Sequence, residues 1–308
     1  MAVPLSIRPP AVVPTYVPTL AVAVAIGSWG VGGVLVKALS VGGLTLAFFR
    51  LWLGAALMAA VLPASGRRVT LTSVRAAAPA GIIFGVNVAL AFTSIRHTTV
   101  ANATLISALQ PALVLLVAGP LFGERVTRRE VAWTGVAIAG IAVVIAGAEG
   151  SPEWSPSGDM LAFGALLTFT AYFLVSKHVR ETSGTIELMA VVQLFAAIVV
   201  TPIALLAPGG VDLPSPVDWI IILSIVFGTG VGAHLVVNWA HRYVDVTVSS
   251  LLMLLVPVVA GVSAWLFLGE ALSPLQMAGS AITLVALLAV VRSVRAPAIA
   301  APEIAAGD

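Results

Sequence analysis

The chain is a succession of long apolar runs separated by short polar breaks. A helix that crosses a bilayer needs about 20 consecutive, mostly apolar residues. Only 9% of the residues are charged, against about 25% in a soluble domain, so the chain lacks the polar residues that coat a soluble globule. The sequence therefore predicts an all-α integral membrane protein with ten spans, numbered in chain order: 16–36, 44–63, 76–95, 98–122, 131–148, 159–176, 186–207, 217–240, 246–268 and 274–291.

The basic residues lie in the breaks and predict an orientation. Cytoplasmic loops of membrane proteins are enriched in lysine and arginine. With the N-terminus inside, twelve of the 15 basic residues fall on the inner side, and only Lys37 and Arg96 on the outer side. We therefore expect a multi-pass protein of the plasma (bacterial inner) membrane with both termini in the cytoplasm.

The two ends of the chain differ in composition from the spans. Residues 1–15 and 292–308 carry proline, alanine and scattered charge, and we expect a disordered N-terminus and a cytoplasmic tail. A cleaved signal peptide is the alternative for the run at 16–36. We reject it because this run has a partner in an internal repeat.

The repeat is clearest where residues 96–124 align with 242–270 at an offset of 146. Eight of the 29 positions are identical, and apolar composition alone does not supply the shared Arg, Pro and Gly-Glu. The identical pairs are Arg96/Arg242, Val100/Val246, Leu105/Leu251, Leu109/Leu255, Pro111/Pro257, Ala118/Ala264, Gly123/Gly269 and Glu124/Glu270.

Upstream of this stretch the offset is 143, which indicates a three-residue insertion in span 8. The repeat predicts two five-span halves, 16–148 and 149–291. Five is odd, so the second half enters the membrane upside down. Inverted repeats around a midplane site are typical of secondary transporters, although an inert membrane scaffold also fits a duplication. The upstream pairs are Trp29/Tyr172, Lys37/Arg180, Arg50/Gln193 and Phe84-Gly85/Phe227-Gly228.

Several stretches resemble the drug/metabolite transporter superfamily, and within it the EamA type. They are "SWGVGGVLVK", "FFRLWLGAAL", "SALQP" with "FGE", "VTRREVAWTGVAIAGIAVV", "LLVP" with "FLGE", and "LSPLQMAGSAITLVA". The resemblance covers nearly the whole chain and implies a ten-helix basket. Spans 1, 3, 4, 6, 8 and 9 would surround a central cavity, with spans 5 and 10 at the periphery. It also implies export of small metabolites, as in amino-acid exporters of the YddG type.

Polar and aromatic side chains inside the spans are the candidates for a substrate site, because polar groups are expensive in a membrane. Interhelical hydrogen bonding is the alternative role for each of them. Ser107 and Gln110 are three residues apart and are expected to share a helix face, as are His234 and Asn238, four apart. The full set of cavity candidates is Trp29, Asn87, Asn102, Ser107, Gln110, Tyr172, His234 and Asn238.

Two prolines and one arginine complete the candidate set. Pro111 and Pro257 fall near the middle of spans 4 and 9, where a proline lacks its N–H and kinks the helix. A hinge or cavity wall is predicted there, and a kink that serves packing alone is the alternative. Arg50 is the predicted intramembrane charge. It could snorkel towards the surface, bind helix carbonyls, or meet an anionic substrate.

The sequence carries no catalytic signature such as HExxH, a Gly-x-Ser-x-Gly elbow or a Walker A loop. We expect no enzyme activity, no metal and no cofactor. The predicted partners are a small-molecule substrate, such as an amino acid, and the lipid bilayer; nucleic acid is not expected, and both monomer and homodimer remain open.

The predicted function is a secondary transporter that exports small metabolites, with amino acids as the favoured class. The alternatives are an uptake or exchange carrier for another metabolite or drug, a passive channel and a scaffold.

The two Gly-Glu pairs predict a turn used twice. Gly123 and Gly269 follow directly on spans 4 and 9, where a left-handed glycine ends a helix. Glu124 and Glu270 would then lie near the N-termini of spans 5 and 10, which favour a carboxylate. The predicted orientation puts the two acids on opposite faces, about 30 Å apart, so they are not a catalytic pair.

Overall fold

The structure is a computed structural model that describes residues 16–94, 97–98, 103, 106–123, 126–147, 155–269 and 272–293. The described residues form helices and short turns. Nine of the helical segments among them are long and apolar enough to cross a membrane, and Gln110–Phe122 is a shorter apolar helix. The predicted all-helical membrane fold is confirmed. The elements are α1 (Tyr16–Lys37), α2 (Gly43–Ala64), α3 (Leu71–Ser94), α4 (Gln110–Phe122), α5 (Arg128–Ala146), α6 (Pro156–Thr182), α7 (Thr185–Leu206), α8 (Pro216–Ile225), a π-helix (Val226–Gly230), α9 (Val231–Ala240), α10 (Val246–Leu252), α11 (Leu255–Leu268) and α12 (Pro274–Ser293).

The helices run up and down between two faces. We name face A the side that holds the α1–α2 turn at 38–42, and face B the side that holds the α2–α3 connection at 65–70. Span 8 consists of α8, the π-helix and α9, and span 9 consists of α10 and α11.

Span 8 is irregular at the point where the repeat offset changes. The π-helix Val226–Gly230 replaces α-helical geometry there, and Gly230 has an unusual ψ of −105°. Extra residues in one repeat must be absorbed locally, and a π-helical segment is one way in which a helix absorbs them. Phe227 in the π-helix is 60% exposed, whereas its repeat partner Phe84 is buried at 2%.

Spans 4 and 9 are both interrupted just before their prolines. Ala108 and Leu109 form a turn ahead of Pro111, and Met253 and Leu254 form a turn ahead of Pro257. A proline disrupts the helix on its N-terminal side, because it pushes away the carbonyl four residues back. Both turns therefore lie where the proline ring interferes with regular α-helical hydrogen bonding.

Glycines set two close helix contacts. A Cβ on Gly30 of α1 would stand 2.6 Å from Val256 O of α11, and a Cβ on Gly140 of α5 would stand 2.5 Å from Thr283 Oγ1 of α12. Small residues at such points let helix backbones approach in a membrane. The α5–α12 pair lies beside the other helices, as expected for spans 5 and 10.

The predicted left-handed glycines are confirmed. Gly123 and Gly269 end their helices with φ of 66° and 70°. The acids that follow, Glu124 and Glu270, lie outside the described residues, as does Arg96.

Candidate functional site

A cavity of about 240 Å³ lies between spans 1, 2, 3, 6 and 8. Its walls reach Val36 and Phe92, each within about a turn of the face-A end of its helix. Its deepest lining residues are Trp29, Phe84, Phe169 and His234, which we call the aromatic floor. The cavity therefore extends from the middle of the helices towards face A.

The aromatic floor is a packed layer of rings. The His234 ring centroid lies 4.8 Å from that of Trp29 and 5.0 Å from that of Phe84. Trp29 also meets Phe169 edge-on at 6.2 Å. Trp29 Nε1 donates a 2.6 Å hydrogen bond to Thr229 O in the π-helix. This bond links the aromatic floor to the irregular part of span 8.

Arg50 is the charged side chain among the cavity-lining residues, and none of them is acidic. It reaches the π-helix, where a Cβ added to Gly230 would stand 3.4 Å from Arg50 Nε. Within the described part of the chain no carboxylate forms an ion pair with it. A cation held in a membrane cavity without a protein counter-ion is a natural partner for an anionic group of a ligand.

Below the floor, towards face B, lies a buried polar cluster. Tyr172 OH stands 3.3 Å from His234 Nδ1, and Asn238 Nδ2 donates to Tyr172 OH at 3.3 Å. Asn238 Nδ2 also lies 3.4 Å from Met189 Sδ and donates to His234 O at 2.9 Å. These side chains join spans 6, 7 and 8 directly under the cavity.

The face-B side is closed by packing and by two cations. Lys177 Nζ donates to His241 O at 2.5 Å and to Val244 O at 3.0 Å, and Arg180 Nε donates to Asn238 O at 2.9 Å. Cations at the C-terminal end of a helix interact favourably with its free carbonyls. The helix C-terminus of span 8 is thereby tied to the end of α6. An apolar core closes the same side, and its buried members are Val22, Ala25, Ile26, Val114, Ala118, Phe173, Ala233, Val237, Ala240, Val244, Val246, Val248 and Leu252.

The predicted site residues divide into three groups. Trp29, Asn87 and His234 line the cavity, whereas Tyr172 and Asn238 lie buried beneath it. Ser107 and Gln110 do not line it. The turn at 108–109 separates them, so that Ser107 is exposed and Gln110 is buried with no hydrogen-bond partner for its Nε2 among the described residues. Asn102 lies outside the described residues.

The walls also differ from those that the resemblance implies. Span 2 contributes Leu46 and Arg50, while no described residue of spans 4 and 9 lines the cavity. Parts of α4 and α10 are instead packed in the face-B core, which holds Val114, Ala118 and Val246. Sequence reasoning missed Phe84, Phe169 and Thr229, because an apolar or hydroxyl residue within an apolar span carries no polar signal of its own.

Metal binding has no support in the geometry of the described ranges. No group of three or more His, Asp or Glu side chains stands there close enough to hold an ion. The described lining offers one cation, an aromatic surface, the amide of Asn87, whose Nδ2 donates to Ala165 O at 2.8 Å, and the hydroxyl of Thr229. Pockets for small organic molecules are typically lined by an apolar surface with a few polar groups.

Comparison with known proteins bears on the family and the fold of the chain. The model of the EamA-like transporter family matches the chain twice, at residues 18–146 and 156–292. A probable amino-acid metabolite efflux pump of Salmonella typhimurium is 28% identical over 199 residues, which cover 60% of this chain and 65% of that protein. A probable terminal-alkyne amino-acid exporter of Streptantibioticus cattleyicolor is 25% identical over 199 residues, covering 64% of this chain and 65% of that protein. The fold is similar to that of a crystal structure with a TM-score of 0.76 and 18% identity, covering 90% of this chain and 96% of the other.

Proposed function

Because the chain belongs to the EamA-like transporter family, we propose that it is an exporter of small amino acids that works by alternating access. Face B would be cytoplasmic and face A would be the outer side of the inner membrane, in agreement with the excess of basic residues on face B. The conformation of the structure is then open outward and closed inward.

The observation that carries the proposal is the cavity itself. It has a volume of about 240 Å³, one lining cation and an aromatic floor, and its described lining residues extend from the floor towards face A. Sites for drug-sized ligands usually hold about 300 Å³ or more, so this volume suits a metabolite of amino-acid size. Arg50 would hold the carboxylate, and the rings would hold an apolar side chain.

Two further observations support the mechanism. Among the described residues, the face-B side is closed by side-chain packing and by hydrogen bonds from Lys177 and Arg180, and such non-covalent contacts can be exchanged when the helices move. The two turns ahead of Pro111 and Pro257 give spans 4 and 9 places where each helix can bend. The two relatives carry names that assign them amino-acid efflux or export.

The test is counterflow in liposomes that contain the purified protein. Liposomes loaded with one unlabelled amino acid should accumulate the same labelled amino acid, with saturation, and a panel of amino acids would rank the substrates. Single-channel current without saturation would indicate a channel instead. Neither current nor counterflow across the panel would indicate a scaffold and would overturn the proposal.

Direction is tested in cells. Cells that overproduce the protein and are fed a dipeptide should release the corresponding amino acid faster than cells with an empty vector. Faster uptake without faster release would favour an uptake or exchange carrier.

A further inference from the structure

Five of the six residues that line the open cavity from spans 1 and 2 have buried repeat partners, and the exception is Gly32, whose partner Val175 is partly buried. At the offset of 143, Gly33, Val36, Leu46 and Arg50 correspond to Ser176, Val179, Met189 and Gln193. Gly33 is exposed to the cavity, whereas Ser176 is 1% exposed. The other three partners are likewise buried, at 5%, 0% and 2%, whereas Val36 and Arg50 are partly exposed; Leu46 is itself buried at 1%, so the Leu46/Met189 pair shows no contrast.

These partners form one connected patch on the face-B side of the aromatic floor. Tyr172, Ser176 and Val179 recur at helical spacing on α6, and Met189 and Gln193 are one turn apart on α7. Asn238 of α9 joins the two helices through Tyr172 OH and Met189 Sδ. The patch is therefore formed by spans 6, 7 and 8. These are the second-repeat counterparts of spans 1, 2 and 3, which line the open cavity.

The patch contains polar atoms that lack partners. Asn238 Oδ1 and Gln193 Oε1 are buried and have no hydrogen-bond partner among the described residues. Buried polar groups are normally hydrogen-bonded, and each one left without a partner costs free energy. The two amide oxygens are therefore acceptors that a donor group of a ligand can satisfy.

We propose that this patch is a second, closed substrate cavity, which opens to face B when the first cavity closes, and that its amide oxygens receive the ammonium group of the substrate. The assignment of the ammonium follows from the chemistry of the free atoms. Amide oxygens only accept, so they need an N–H or O–H donor, and an ammonium group supplies three N–H donors. The inference rests on the proposed function, because it assumes that one substrate visits both cavities.

The two cavities would then recognise opposite ends of the substrate. Arg50 on the face-A side donates to a carboxylate, while its repeat partner Gln193 on the face-B side offers a neutral oxygen. An inverted repeat permits this exchange of roles, because each half can adopt the conformation of the other.

The test uses single cysteine substitutions, since the natural chain has no cysteine. Gly33→Cys and Val36→Cys report on the open cavity, and the partner substitutions Ser176→Cys and Val179→Cys report on the closed one. A Cβ on Gly33 meets no atom within 4 Å, and the other three changes replace small side chains by one of similar size. Two pairs keep the test informative if one variant fails to fold.

A membrane-impermeant thiol reagent is added from face A to intact cells and from face B to everted vesicles. Without substrate, the two open-cavity variants, Gly33→Cys and Val36→Cys, should react from face A. The two closed-cavity variants, Ser176→Cys and Val179→Cys, should be protected from face B. During counterflow of a transported amino acid, labelling of the closed-cavity variants from face B should rise roughly tenfold, as the population of the face-B-open state rises from about one to about ten per cent.

A control compound tests the ammonium assignment: the carboxylic acid that has the same side chain as the transported amino acid but no amino group. This acid should not raise labelling of the Ser176→Cys variant. If it raises labelling as much as the amino acid does, the ammonium assignment is wrong. If counterflow proceeds while both closed-cavity variants stay protected, the second cavity is wrong and the proposed function stands. If the cysteine-free parent shows no counterflow with any amino acid, the proposed function fails, and the inference fails with it.

Discussion

Trp29 Nε1 donates a 2.6 Å hydrogen bond to Thr229 O, and this bond fastens the floor of the cavity to the π-helix of span 8. The acceptor is a backbone atom in the segment where the two repeats differ in length. Trp29 thus makes two kinds of contact. Its indole N–H binds the π-helix, and its ring packs on His234 with the ring centroids 4.8 Å apart. A substitution that keeps a ring but removes the N–H affects only the first contact directly.

We expect Trp29→Phe to lower the free energy of unfolding by about 1 kcal/mol, because the substitution keeps a ring but removes the hydrogen bond. Thermal unfolding in detergent measures the effect. Trp265→Phe is the matched control, because Trp265 lies half exposed on α11. Equal shifts in Tm for the two variants would contradict a role for the bond.

Arg50 is expected to decide whether a substrate needs a carboxylate. Arg50→Gln introduces the residue found at the equivalent position of the second repeat, Gln193. The substitution removes the charge and keeps a polar side chain. A hydrogen bond to a charged group contributes about 1.5–3 kcal/mol, so KM for an amino acid in counterflow should rise roughly tenfold or more.

Arg50→Lys keeps the charge and should recover part of that loss. The amide of the same amino acid, which has no carboxylate, serves as the comparison substrate. Arg50→Gln should abolish the preference for the acid over the amide. A preference that survives in Arg50→Gln would assign Arg50 a structural role instead.

The contact of α1 with α11 depends on Gly30. A Cβ at this position would stand 2.6 Å from Val256 O and 2.8 Å from Ala260 N, both of which are backbone atoms that cannot move alone. Gly30→Ala should therefore lower the free energy of unfolding by about 1–3 kcal/mol, with a lower Tm in detergent.

Gly135→Ala on α5 is the control for that substitution. Its Cβ meets no atom within 4 Å, and alanine is favoured over glycine in a helix by up to about 1 kcal/mol. The control should be neutral or stabilising. A Gly30→Ala variant as stable as Gly135→Ala would mean that α1 and α11 are not held at this close distance.

Some local features of the fold follow from the sequence because neighbouring residues determine them. The glycines at 123 and 269 end helices in a left-handed conformation, as their position after an apolar run predicts. The change of repeat offset locates the irregular part of span 8, although it does not predict a π-helix. In each case the cause lies within a few residues of the effect.

The composition of the site is harder to predict, because it depends on how helices rotate against each other. Helical spacing puts Ser107 and Gln110 on one face, but the turn at 108–109 lies between them. The predicted end of span 6 leaves Lys177 and Arg180 in a loop, yet α6 continues to Thr182 and buries Arg180 at 3% exposure. Carbonyls at the end of span 8, which no sequence pattern marks, accept hydrogen bonds from both side chains.

His241 is expected to make the closed face-B side sensitive to acid. Its ring is buried and meets Phe173 edge-on with the centroids 4.6 Å apart. Burial lowers the pKa of His241 from 6.5 to about 3, and the charges of Lys177 and Arg180 act in the same direction. An unfolded or opened chain binds a proton on this imidazole below about pH 6.5, whereas the closed state does not. The stability of the closed state is therefore fully present above pH 6.5 and falls as the pH is lowered from 6.5 towards 3, by at most about 1.4 kcal/mol per pH unit.

Thermal unfolding in detergent between pH 8 and pH 4 tests this dependence. His241→Gln cannot take up the proton, so its Tm should fall less steeply below pH 6.5 than that of the natural protein, whatever its absolute Tm at pH 8. His178→Gln is the control for the loss of a histidine, because the His178 side chain is 76% exposed and lies 3.4 Å from Glu181 on the surface of α6. If His241→Gln loses stability in acid as steeply as His178→Gln does, protonation of His241 does not oppose closure of face B.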